Sequence, residues 1–125
     1  MVFRKYLKNP FKKLPENYFK QAEPLAYSFE GTIKDNGTIY EVFRSEETIF
    51  NFDGEGKVPT IPFRIVPQNG SGKDYYFLAS NNGNGKLKLR WEEELFENMT
   101  EPEIFIRRFS DTFLLLPSEK NKNIN

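Results

Sequence analysis

Two stretches rich in β-branched and aromatic residues, Leu25 to Ile33 and Thr38 to Arg44, are separated only by Lys34-Asp35-Asn36-Gly37. An Asn-Gly pair tolerates the left-handed backbone of a type I′ turn, whose twist matches that of the flanking strands, so this segment predicts a β-hairpin. A second hairpin is expected from Asp74 to Ser80 and Lys86 to Trp91, joined around Asn81-Asn82-Gly83-Asn84-Gly85. In its outgoing strand Leu87, Leu89 and Trp91 alternate with Lys86, Lys88 and Arg90. That period of two predicts one core face and one wet face.

Between the hairpins, Ser45 followed by Glu46 and Glu47 is read as the cap of a short helical turn, and Asp53-Gly54-Glu55-Gly56 as a loop. Val58 to Val66 reads as extended, but Pro59, Pro62 and Pro67 each remove a ladder donor, which predicts an edge or irregular strand. At the other end, Thr100-Glu101-Pro102-Glu103 has the form of a capping box, with Phe105, Phe109, Phe113 and Leu116 at helical spacing and Pro117 as the stop. A rival parse makes Ile104 to Arg108 a strand and caps a shorter helix at Ser110. Pro10 and Pro15 limit any helix in the first twenty residues to one or two turns. The expected architecture is α+β: one domain over residues 1–117, with an antiparallel or mixed sheet of about five or six strands, a few helices packed on it, and a flexible polar tail over 118–125.

A chain of 125 residues is long enough for a real core. It contains no histidine and no cysteine, beside 13 Phe, 6 Tyr and 1 Trp. Without imidazole or thiol there is no Ser-His-Asp triad, no Cys nucleophile and no ordinary zinc site. Binding without catalysis is therefore the expectation, with no cofactor and no metal.

Two motifs fail on inspection. Gly70-Ser71-Gly72-Lys73 has Pro67 where a phosphate loop needs Gly and Asp74 where it needs Ser or Thr. The start of a calcium loop echoed by Asn51 to Gly56 meets Pro62 at its twelfth position instead of Glu. Sequons at Asn36, Asn69 and Asn98 read as accidents of a chain with twelve asparagines. Three alanines beside those asparagines point to an AT-rich, bacterial genome.

Charge is balanced overall, 18 basic against 18 acidic residues, but not locally. Arg4, Lys5, Lys8, Lys12, Lys13 and Lys20 face Glu16 alone, whereas Glu92, Glu93, Glu94, Glu97, Glu101 and Glu103 share a window with no basic residue. Clustered carboxylates speed encounter with a positive surface, so the acidic run is a candidate docking surface for a basic partner. Glu92, Glu93, Glu94 and Glu97 would supply the attraction, and Phe96 and Tyr76, taken as exposed aromatics, the desolvated anchors. The alternative is a nucleic-acid binder using the basic N-terminal segment and a strand face of Lys86, Lys88 and Arg90 with Tyr75 and Tyr76. A further alternative is an accessory domain that self-associates through its two charged ends. Val2, Phe3, Tyr6 and Leu7 are interrupted by Arg4, Lys5 and Lys8, so no signal peptide or membrane segment is expected and a cytoplasmic location is the default.

Several segments, in order, resemble the SUKH superfamily, which is found widely as bacterial toxin-immunity proteins. Leu14-Pro15-Glu16-Asn17-Tyr18 is similar to the family's opening Leu-Pro-x-x-Tyr, and Ile61-Pro62-Phe63-Arg64-Ile65 to its central Ile-Pro-Ile strand. Asp74 to Leu78 resembles the strand after its glycine-rich loop, Gly85 to Trp91 the strand paired with it, and Phe109 to Leu116 its closing helix. The chain departs from the family in the segment after Tyr18, which turns to strand instead of helix, and in closing aromatics four apart instead of three. The resemblance implies an α+β fold and an immunity protein that neutralises a cognate toxin by direct binding.

Overall fold

The computed structural model describes residues 19–68, 73–81, 87–97 and 99–114. The described chain enters on a helical turn over residues 19–24 and then forms β1 (Ser28–Asp35) and β2 (Thr38–Arg44). Asn36 at φ 45° and Gly37 at φ 86° make the expected type I′ turn, so the pair registers Asp35 opposite Thr38 and Ile33 opposite Tyr40. β3 (Thr48–Phe52) and β4 (Gly56–Pro67) form a second hairpin, and β5 (Tyr75–Asn81) and β6 (Leu87–Trp91) a third. All six strands join one antiparallel sheet in the order β1-β2-β4-β5-β6, with β3 on β4 beside β2. A 3-10 turn (Glu93–Phe96) leads to helix α1 (Pro102–Phe113), and the sheet dominates this mixed α and β fold.

Three expectations are corrected. Ser45 caps no helical turn; its N–H bonds to the Pro62 carbonyl at 3.0 Å, and residues 45–47 are the short break between β2 and β3. Nor is the proline-rich strand an edge, since β4 is central, paired with β5 on one side and with β2 and β3 on the other. Its prolines are tolerated because their missing donors fall in gaps of the ladder. The Ser45 bond shows that Pro62 turns its main-chain edge to the break between β2 and β3. Pro59 and Pro67 lie at odd spacing from it and so face the β5 side, where pairing runs only from Thr60 to Ile65. Finally, α1 is capped at Glu101 without a side-chain bond, one residue past Thr100. The helical parse of this region holds over the strand parse. Leu116, Pro117, the glycine loops at 69–72 and 82–86 with Lys86, the basic N-terminal segment through residue 18 and the 118–125 tail lie outside the described residues, whereas residues 53–55 form the expected turn.

Apolar side chains pack on both faces of the sheet. On one, Val42, Phe63, Ile65, Phe77, Leu89 and Trp91 meet Phe105, Ile106, Phe109 and Phe113 of α1. Phe109 lies 4.5 Å from the Phe77 ring centroid and 5.1 Å from that of Phe63. The bulge in β1 between Phe29 and Gly31 seats the ring of Phe113 at Gly31, where a Cβ would stand 3.4 Å from it. On the other face Phe50, Phe52, Tyr76 and Leu78 pack with Ala22, Phe19, Leu25 and Tyr27 of the entering segment. Among the described residues no helix is long and apolar enough to cross a membrane.

Candidate functional site

The acidic run is split by the fold. The junction from β6 into the 3-10 turn leaves Glu93, Glu94 and Glu97 exposed and Glu92 half-buried, while Leu95 and Phe96 turn inward. The Glu92 N–H reaches the Tyr76 carbonyl at 3.4 Å, which holds the turn against β5. Burial raises the Glu92 carboxyl above its ordinary value, with Lys73 opposing and Glu94 and Glu23 adding to the rise. Glu94 pairs with Lys73, whose ammonium also lies 5.5 Å from the Tyr75 ring.

Phe96 and Tyr76 are not the exposed anchors that the sequence led one to expect. Phe96 is 9 % exposed, its ring edge-on to Trp91 at 5.2 Å and to Phe105 at 6.1 Å, because the 3-10 turn folds it under the sheet. Tyr76 is also 9 % exposed, on the opposite face, covered by the segment that carries Tyr27.

What surrounds Tyr76 is more informative. Its phenol is pushed above the usual tyrosine value by burial first, with Arg64 opposing and Asp74, Glu23 and Glu92 adding to the rise. Glu92, whose N–H meets the Tyr76 carbonyl, Glu94, paired with Lys73, Asp74, paired with Arg64 beside Tyr27, and Glu23 of the entering turn gather at one end of the sheet. Sequence reading missed Glu23 and Asp74. Neither sits in a charged run, and only the pairing of the strands brings them beside Glu92.

Running from this acidic end, Tyr27 sits 6.2 Å from Tyr76, and its hydroxyl donates to the Ala22 carbonyl at 2.7 Å. The Arg64 guanidinium lies 4.5 Å over the Tyr27 ring and 5.8 Å over Phe43, and pairs with Asp74 at 3.7 Å. Phe43 in turn meets Phe29 edge-on at 5.6 Å, and Phe29 is 56 % exposed.

The basic strand face is not presented as expected. Arg90 is 3 % exposed, donating to Ser80 Oγ at 2.9 Å and to Glu55, with its guanidinium 3.7 Å over the Phe52 ring. Lys88 is held by the same Glu55 carboxylate at 3.4 Å. Tyr75 and Tyr76, adjacent on β5, belong to opposite faces. No group of three or more acidic residues is placed to hold a metal ion among the described residues. No protein-family model, no curated protein and no solved structure matches the chain.

Proposed function

We propose that this chain works by binding another protein, most concretely as an immunity protein that neutralises a cognate bacterial toxin by covering its active or substrate-binding surface. The observation that supports this best is the convergence of Glu23, Asp74, Glu92 and Glu94 from three separate segments at one end of the sheet. Arg64 pairs with Asp74 and Lys73 with Glu94, so the field suited to a basic partner is carried by Glu23, Glu92 and the exposed Glu93 and Glu97. The sequence segments that resemble the SUKH superfamily, at 14–18 and between 61 and 116, support an immunity role in particular. The chain supplies no chemistry of its own in this reading. The strand face offers less support for nucleic-acid binding, because Glu55 pairs with both Lys88 and Arg90.

The test is capture of partners from the native host by the tagged full chain at about 0.15 M salt, followed by mass spectrometry. One basic polypeptide recovered in near-equal amount, and inactivated as a toxin when recombined with the chain, is the expected result. Recovery of nucleic acid alone, or of the chain alone, contradicts the proposal.

A further inference from the structure

We propose that the strip formed by Phe29, Phe43, Arg64 and Tyr27 is the apolar half of the docking face. Its occupant is a basic segment of the partner that seats an aromatic or aliphatic side chain against Phe29 and Phe43 and directs Lys or Arg toward Glu23 and Glu92. This rests on the protein-binding reading above and replaces Tyr76 and Phe96 with anchors that a partner can reach.

Three observations carry it. Phe29 is a large apolar side chain left 56 % exposed, yet its ring is already fixed edge-on against Phe43, so little freedom remains to be lost on binding. Arg64 is stacked between Tyr27 and Phe43 and neutralised by Asp74, and such Tyr and Arg side chains dominate binding energy at protein interfaces. Side-chain contacts run unbroken from Phe29 through Phe43, Arg64 and Tyr27 to Tyr76, whose phenol feels Glu23 and Glu92. An apolar end and an acidic end therefore form one surface, complementary to a segment that is apolar at one end and basic at the other.

Strand pairing with a second copy through β1 is a poorer fit. The bulge at Glu30 interrupts its ladder, and Arg108 donates to the Lys34 carbonyl at 2.5 Å on the free edge.

The test uses the isotope-labelled full chain titrated by NMR with three short peptides of alternating Lys-Phe, Lys-Gly and Glu-Phe. The Lys-Phe peptide is expected to bind about tenfold more tightly than either of the others, moving the amide signals of Tyr27, Phe29 and Phe43. Phe29→Ala should abolish that advantage and leave Lys-Gly binding intact, and Phe29→Thr, which keeps strand propensity, should do the same. Equal binding of Lys-Phe and Lys-Gly, unaffected by either variant, overturns the strip while the acidic reading stands. Equal binding of Glu-Phe and Lys-Phe overturns the acidic reading and the basic occupant with it. Concentration-dependent mass that disappears in Phe29→Ala assigns the face to a second copy and overturns the proposal.

Discussion

A guanidinium under a sheet surface is stable only while its donors are filled, and Arg90 meets that condition through Ser80 Oγ, Glu55 and the face of Phe52. Ser80 is itself bonded to Thr60 Oγ1 at 3.0 Å, so removing the arginine leaves a buried hydroxyl pair short of a partner and a cavity beside Phe52. Arg90→Ala is expected to cost about 2–3 kcal/mol in urea unfolding, at the lower end for a buried charge because Glu55 can rehydrate. The Glu55 carboxyl is subject to burial that would raise it, but the hydrogen bonds and charges of Arg90 and Lys88 outweigh burial and hold it below the usual carboxylate range. A lowered folded pKa means that this contribution to stability is fully present above the unfolded value of about 4.3 and is lost as pH falls through the folded value. Acid titration of urea midpoints should therefore show a steeper loss for the natural chain than for Glu55→Gln. Parallel curves would mean that the Arg90 pair is not coupled to folding.

At the level of elements, what the sequence made legible was local. Asn36-Gly37 announced the first hairpin, the Leu87-Leu89-Trp91 alternation the last strand, and Phe105, Phe109 and Phe113 the helix, because each signal lies within a few residues of its consequence. β3 and the central place of β4 were not legible. Their pairing is set by partners distant in sequence, and proline bars a ladder only where a neighbour actually stands. The same limit applies to the site. A contiguous run exposed Glu92 to Glu97, whereas the faces of Tyr75 and Tyr76, two aromatics in succession, follow only from register, and Glu23 and Asp74 join the run only in three dimensions. Gly37→Ala places a Cβ at φ 86° and should cost about 1–2 kcal/mol without changing the fold. Gln21 donates through Nε2 to the Asn51 carbonyl at 3.2 Å and accepts the Asn51 N–H at 3.1 Å, imitating a further strand on the edge of β3. Gln21→Ala should speed hydrogen exchange at Asn51 with a global cost of about 1 kcal/mol.

At the scale of the whole sheet, aromatic side chains pack on both faces, and the strip at Phe29 and Phe43 and the acidic end stay open to solvent. Phe109 is fully buried and touches rings from β4, β5 and α1, so Phe109→Ala should cost about 3–5 kcal/mol, measured by denaturant unfolding. Substitutions at the exposed Glu93 and Glu97 should leave unfolding nearly unchanged, which separates the surface from the scaffold. The deciding measurement is the association rate of the purified chain with the basic polypeptide it captures, followed by stopped flow as salt is raised. Electrostatic steering by Glu92, Glu93, Glu94 and Glu97 predicts a fall of about tenfold or more between low and high salt, flattened when the four are changed to Gln. A rate that is indifferent to salt, or unaltered in that variant, would contradict recognition through the acidic end.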